Sequence, residues 1–214
     1  MYEFEITKGV SVSFQRYPYP GAGSLSALPS SHGALPIHVS GPAQLEVPSP
    51  PNEAFWIALL GSSSGAASDV ALLAYGRKGT PVDVLTGMPA ATPTGRVTLP
   101  PHQFIAGIRQ GTGTWWAFAR DPSAPAPVTA AVDLFVRTWS GPSAATARPA
   151  SPTPQHMPGQ KSPDHGLAPP SVAAVAENRT LRIVFTDEAH FSSMSGRQVA
   201  PLSHDPGLRD RRLP

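Results

Sequence analysis

Residues 128–139 of the chain, VTAAVDLFVRTW, indicate its fold class because apolar and polar residues alternate along them. Successive side chains of a β-strand point to opposite faces of its sheet. One face of this segment is therefore apolar, and it is formed by Val128, Ala130, Val132, Leu134 and Val136. Polar Asp133 and Arg137 fall on the other face. The segment predicts a strand with one buried face.

Short segments on the N-terminal side of this strand repeat the pattern. Tyr2, Phe4 and Ile6 alternate at the start of the chain, and apolar runs bounded by turn residues follow. We expect further strands at residues 37–39, 45–47, 54–60, 70–75, 82–85, 97–99, 104–108 and 115–119. Many short strands separated by turns are typical of a sandwich or barrel. The sequence predicts an all-β fold over residues 1–141, an antiparallel β-sandwich that is jelly-roll-like.

The composition changes after residue 141. Residues 142–170 are rich in proline and almost free of large apolar side chains. Such a stretch cannot bury enough surface to offset the entropy of ordering it. We therefore expect an extended, Pro-rich linker between the β domain and the C-terminus.

Residues 171–214 are expected to form a C-terminal arm. Leu181, Ile183 and Phe185 alternate with polar residues, which predicts one strand at 180–186. A single strand of this length is not stable alone, so it should dock on a sheet edge of its own copy or of a neighbour. The rest of the arm is expected to be mostly irregular, with a disordered basic end.

Composition excludes several classes of function. The chain has no cysteine, which excludes disulfides, thiolate metal sites and cysteine nucleophiles. The histidines show no ligand spacing, so we expect no metal site, and no motif predicts a cofactor. The net charge is only +2, and the arginines of the C-terminal residues 209–212 are interrupted by an aspartate. This is a weak footprint for nucleic acid, which we expect not to be a partner.

The N-terminus does not resemble a secretion signal. Glu3 and Glu5 stand where a signal peptide needs basic residues, and no apolar segment follows them. No run approaches the length of a membrane span. If Met1 is the native start, we expect cytoplasmic synthesis without a signal peptide and no membrane span.

Residues 61–65, GSSSG, match the G-x-S-x-G pattern of a nucleophile elbow, in which a strained turn exposes a serine between a strand and a helix. An apolar run precedes the motif and a possible helix at 66–75 follows it, so Ser63 is the candidate nucleophile. The candidate acids and bases further along are Asp121, Asp133, His156, His165 and His190. Serine- and glycine-rich loops also produce this pattern by chance, and the chain lacks helical periodicity elsewhere. A non-catalytic loop is the favoured interpretation.

Four aromatic residues are candidates for a binding surface or a subunit interface: Trp115, Trp116, Tyr17 and Tyr19. Adjacent tryptophans on a strand must point to opposite faces, so one of Trp115 and Trp116 should be core and the other exposed. An exposed tryptophan would mark a contact surface, for a sugar or for another subunit.

Three functions follow from these observations. The favoured one is a non-enzymatic structural or assembly protein, a β-sandwich subunit that associates with copies of itself or with other subunits, as virion shell proteins of similar architecture do. Its arm would add a strand to a neighbouring molecule. The first alternative is a carbohydrate- or ligand-binding module that uses the exposed tryptophan. The second is a serine hydrolase with Ser63 as nucleophile.

Overall fold

A computed structural model describes residues 1–62, 67–122, 126–140 and 174–202 of the chain. The first seven strands are β1 (Phe4–Thr7), β2 (Val10–Pro18), β3 (Ser24–Leu25), β4 (His38–Gly41), β5 (Gln44–Pro48), β6 (Glu53–Gly61) and β7 (Ser68–Tyr75). The remaining elements are β8 (Val82–Asp83), β9 (Val97–Leu99), β10 (Gln103–Ile105), β11 (Gly107–Gly111), β12 (Thr114–Ala117), β13 (Ala131–Ser140), β14 (Ala174–Thr186) and the helix α1 (Glu188–Ser195). The prediction of an all-β fold is confirmed.

The described strands form three sheets. One has four strands in the order β1-β2-β6-β10, and a small one has the order β11-β12-β3. The large sheet has the order β4-β5-β14-β13-β7-β8, with β9 also paired to β7. None of these sheets closes into a barrel in the part of the chain that is described.

One pair of neighbouring strands, β14 and β5, is parallel, whereas the sequence predicted antiparallel strands. β14 runs parallel to β5, from Arg182 opposite Gln44 to Thr186 opposite Pro48, so the large sheet is mixed. The direction of β14 is set by its long antiparallel ladder with β13. No short turn joins β14 to β5, so nothing requires that pair to be antiparallel.

The main core lies between the four-stranded sheet and the large sheet. Along β13, the alternation of the sequence buries Val132, Leu134 and Val136 at no more than 2% exposure. Side chains of the four-stranded sheet, such as Phe14 and Ile57, belong to the same buried cluster. Burial of this apolar surface is the dominant favourable contribution to folding, at about 25 cal/mol for each Å².

The strand predicted at 180–186 lies within β14, which begins earlier, at Ala174. We expected this segment to dock on a sheet edge, and that expectation is wrong. β14 lies inside the large sheet, with β13 on one side and β5 on the other. The predicted linker, 142–170, and the basic end of the arm lie outside the described residues.

The expectation that the arm is otherwise irregular is also incomplete, because α1 follows β14. The Asp187 carboxylate caps the helix by accepting a hydrogen bond from the His190 backbone N–H at 2.7 Å. This hydrogen bond is the first cause of the lowered pKa of Asp187. Gly196 ends the helix in the left-handed conformation, and the Phe191 side chain is fully buried. A capping aspartate and a terminal glycine are ordinary helix boundaries.

The buried Arg16 side chain joins an ion pair within the four-stranded sheet to the segment after α1. The Arg16 guanidinium on β2 binds both carboxylate oxygens of Glu53 on β6, with an Nε–Oε2 distance of 2.7 Å. Its remaining Nη1 group donates to the Ala200 carbonyl at 2.6 Å. Arg16 is only 6% exposed, so its charge is compensated by Glu53 where water has little access.

Candidate functional site

The slot between β13 and β5 is the first candidate site, because it holds the strand that sequence analysis assigned to assembly. β14 pairs with β13 from Val184 opposite Ala131 to Ala174 opposite Ser140. Over residues 182–186 it also pairs with β5. Removal of β14 would leave an unpaired strand edge on each side of the slot, and such edges template pairing with another chain.

Three inward side chains of β14 belong to the main core. Leu181 and Ile183 are 0% exposed and Phe185 is 3% exposed. The Phe185 ring stacks on Phe55 with 4.3 Å between centroids, and it meets Phe14 edge-on at 5.9 Å. Phe14 and Phe55 belong to the facing four-stranded sheet, so β14 joins the two sheets through these rings.

On the outward side of β14, Arg182 contacts the neighbouring strand β13 and reaches over it to β7. Arg182 Nη1 lies 3.3 Å from Asp133 Oδ1, and the guanidinium lies 4.7 Å from the centre of the Tyr75 ring. Burial, and then the neighbouring Asp133 carboxylate, raise the pKa of Tyr75, whereas the Arg182 charge opposes that rise. The ion pair on this face is half-exposed, so it contributes less to stability than the buried rings.

The connection from β13 to β14 is much longer than its geometry needs. Ser140 and Ala174 are direct partners in the ladder, so the two ends of the connection lie side by side. Two to five residues are enough to join two such strands in a hairpin. The chain instead places residues 141–173, 33 positions, between them. Nothing in the pairing of β13 with β14 accounts for that length.

The two tryptophans predicted to point in opposite directions lie on β12. Both are half-buried rather than one buried and one exposed, and Trp116 packs against the main core. Trp115 is half-buried, and its partners in the neighbouring strands are Leu25 and Arg109. Trp115 is therefore the one of the two that remains a candidate for an outside contact.

Tyr17 and Tyr19 belong to a second, smaller apolar cluster on the other face of β6. This cluster is built around Tyr17, Ala54, Trp56, Ala58 and Ala117, with Tyr19, Leu25 and Leu60 packed against it. Tyr17 is 3% exposed, and its hydroxyl has no hydrogen-bond partner among the described residues. Burial, and then the charge of neighbouring Tyr19, raise the pKa of Tyr17. Both tyrosines are packed side chains rather than an open platform.

Phe104 is an aromatic residue that sequence analysis did not single out. It is 50% exposed on the edge strand β10, and its ring meets Trp56 edge-on at 5.5 Å. The alternation within the predicted strand 104–108 is consistent with an outward side chain at this position. Its contact with Trp56 could not be predicted, because it depends on the pairing of β10 with β6.

Ser63 lies outside the described residues. The helix that a nucleophile elbow requires after it is contradicted, because Ser68–Tyr75 is the strand β7. Three residues of that strand, Val70, Leu72 and Ala74, face the main core. In a helix, residues two positions apart would not lie on one face. The strand–turn–helix context of the motif is therefore absent.

The acids and bases proposed for Ser63 have other partners or are not described. Asp133 pairs with Arg182, and Asp121 pairs with Arg77 and Arg120. His190 lies on α1, where its Nε2 is 3.8 Å from Glu46 Oε2, while His156 and His165 fall outside the described residues. Sequence analysis did not name His102, the histidine that contacts the start of the 61–65 motif. Its Nδ1 accepts a hydrogen bond from the Gly61 N–H at 3.1 Å.

Within the described ranges, no group of three or more histidine, aspartate or glutamate residues is arranged to hold a metal ion. The helix found in those ranges also lacks the length and apolar character needed to cross a membrane.

Comparison with known proteins gives no match: no protein-family model, curated protein or solved structure matches this chain. A functional proposal must therefore come from its own residues.

Proposed function

We propose that the chain is a non-enzymatic structural subunit that associates with other copies of itself by exchanging β14. The observation that carries this proposal is the 33-residue connection between two directly paired ladder positions, Ser140 and Ala174. A connection of that length allows β14 to fill the slot of its own copy or that of a neighbour. The contacts made in the slot are the same in both cases, as in domain swapping.

The reach of residues 141–173 is sufficient for exchange. The rise of an extended, Pro-rich chain is about 3.1 Å for each residue, so the maximum reach of 33 residues is roughly 100 Å. A domain of this size has a radius of gyration of roughly 16 Å. The donated strand would therefore reach the slot of an adjacent copy without strain in the linker.

The proposed exchange leaves the architecture of each subunit intact. We interpret the four-stranded sheet and the large sheet, which share one core, as a jelly-roll-like sandwich that is complete only when β14 is in place. Reciprocal exchange between two copies produces a closed dimer. Donation from each copy to the next produces a ring or an extended assembly, which is the arrangement expected of a larger particle.

The test is the mass in solution of the native chain and of two linker variants, measured by size-exclusion chromatography with light scattering. The monomer mass is 22.4 kDa. We expect the native chain to form an oligomer of defined mass. Replacement of residues 141–173 by a two-residue Asn-Gly turn should yield a monomer, because the strand can then reach only its own slot.

The matched control replaces residues 141–173 by a Gly/Ser segment of equal length, which should keep the oligomer. A native chain that is monomeric at all concentrations would overturn the proposal. So would a short-turn variant that keeps the native oligomer, because the association would then use another surface.

A carbohydrate- or ligand-binding module is the second candidate, and Trp115 is the observation that favours it. Both Trp115 and Trp116 are half-buried on β12, and it is Trp116 that packs against the main core. We expect Trp115→Ala to abolish binding on a glycan array if this function is correct. The absence of any glycan bound by the native chain would eliminate it.

A further inference from the structure

A cleft of about 230 Å³ lies on the outer face of the large sheet, on the side away from the main core. Its floor is a row of direct ladder partners, Ala71 on β7, Phe135 on β13 and Thr180 on β14. The next row along the same face contains Arg137 and Asn178. Two adjacent strands, β13 and β14, thus supply an aromatic surface, a hydroxyl, an amide and a guanidinium to one cleft, and Ala71 of β7 completes its floor.

Arginines line this cleft, and no carboxylate lines it. Arg96 makes no hydrogen bond or ion pair with any described residue. Arg137 donates from Nε to Asn178 Oδ1 at 3.3 Å, and Arg179 uses its guanidinium on the Ile6 and Pro42 carbonyls. Arg179 lies opposite Val136, which belongs to the main core, so its side chain leaves the sheet on the other face and the positive charge of the cleft comes from Arg96 and Arg137. Neither of these two is within ion-pair distance of a described carboxylate, unlike Arg182 on the outer face.

The nearest acid in the ladder is Asp69, which lies opposite Arg137 on β7. Its Oδ1 accepts a hydrogen bond from the Thr98 hydroxyl at 2.8 Å, and it forms no ion pair with Arg137. The cleft therefore has an excess of positive charge in a protein whose net charge is only +2. Such a local excess attracts anions.

The wall that carries Arg96 is held in place by a buried carboxylate. Asp83 is 0% exposed, and its Oδ2 accepts hydrogen bonds from the Thr94 and Gly95 backbone N–H groups, both at 2.7 Å. Its Oδ1 accepts two more from the N–H groups of Leu85 and Thr86. Burial alone favours the neutral acid, but the four donors outweigh it and lower the pKa of Asp83. The loop ending at Arg96 is thus fixed before any ligand arrives.

The geometry points to a binding site for a tetrahedral oxyanion, a phosphate or sulfate ester on a sugar-sized molecule. Guanidinium groups bind such oxyanions through paired hydrogen bonds, and Asn178 and Thr180 add neutral donors beside them. The Phe135 ring offers an apolar surface for the ring of the ligand. A cleft of about 230 Å³ is large enough for one sugar ring with its ester.

This inference does not depend on strand exchange, because Asn178 and Thr180 occupy the same positions whichever copy supplies β14. The two proposals also have different readouts. Loss of oligomers in the short-turn variant would leave ester binding unchanged, and loss of ester binding would leave the mass in solution unchanged.

The test is titration calorimetry of the full chain with glucose 6-phosphate, glucose 6-sulfate and glucose. We expect the two esters to bind, more weakly as salt concentration rises, and glucose to bind at least tenfold more weakly. A preference between the esters identifies which oxyanion the site takes. Arg96→Gln and Arg137→Gln should each weaken ester binding by tenfold or more.

Arg109→Gln is the matched control, because Arg109 is also an exposed arginine but lies on β11, outside the cleft. It should leave ester affinity unchanged. Arg96 has no described partner to lose, so Arg96→Gln should keep the unfolding temperature of the native chain and report on binding alone. The inference is overturned if neither ester binds, or if the cleft variants and the control bind the esters equally well.

Discussion

The two faces of β13 and β14 have opposite characters, although they are formed by alternate residues of the same two strands. The inner face presents Val132, Leu134, Leu181 and Ile183, all of them 0% exposed. The outer face presents charged and polar side chains, some of which line a cleft. The comparison separates two kinds of contribution. Inner side chains stabilise β14 in its slot. Outer side chains can be substituted with an effect on ligand binding and little effect on the fold.

The largest expected effect comes from the inner face. Phe185→Ala should lower the free energy of unfolding by about 3–5 kcal/mol, because it removes a buried ring that stacks on Phe55. Urea denaturation measures this change. Val184→Ala is the matched control, since Val184 is half-buried on the outer face of the same strand. Equal losses for the two variants would contradict the assignment of the two faces.

A smaller loss is expected at the loop that borders the outer cleft. Asp83→Asn keeps the shape of the side chain but replaces an acceptor oxygen by a donor NH₂ group, which cannot accept from the N–H groups around it. We expect a loss of about 2–3 kcal/mol at pH 7. Ester binding should weaken as well, because Arg96 loses its fixed position.

The pH dependence of the Asp83→Asn variant provides a second check. The pKa of Asp83 is lowered in the folded state, so the unfolded chain binds more protons between the two pKa values. The stabilisation is complete above the ordinary aspartate pKa of about 4 and is lost as the pH falls through the lower, folded value. The difference in unfolding free energy between native and variant chains should therefore narrow below about pH 4. A difference that stays constant down to pH 2 would contradict this role of Asp83.

The inner face could be predicted from the sequence because its signal is local. The alternation predicts the buried side chains of β13 (Val132, Leu134, Val136) and of β14 (Leu181, Ile183, Phe185). It fails just before β13, where Val128 and Ala130 are only half-buried and Thr129 is fully buried. The first residues of β14 were missed, since 174–179 contain no alternation of large apolar side chains. The position of β14 between β13 and β5 was also missed, because strand neighbours depend on contacts between distant parts of the chain.

The outer cleft could not be predicted, since none of its parts is a motif. Arg96 and Arg137 are far apart in the sequence and come together only because a loop folds over the paired strands β7 and β13. Asp83 reads as an ordinary turn residue, and its hydrogen bonds to Thr94 and Gly95 cross a loop of about ten residues. The helix α1 was not predicted either, because Phe191 is its one buried residue and so leaves little periodicity to detect between Asp187 and Gly196.

The smallest expected effect is on the outer face of β14 itself. Arg182→Gln removes a half-exposed ion pair with Asp133, and such pairs contribute less than about 1 kcal/mol to stability. Its clearer consequence is on Tyr75: without the Arg182 charge, the Asp133 carboxylate acts unopposed and the pKa of Tyr75 should rise further. NMR titration of the Tyr75 ring measures that rise, and Arg109→Gln should leave it unchanged. A stability loss as large as that of Phe185→Ala would mean that the outer face holds β14 as firmly as the core does, and the comparison of the two faces would fail.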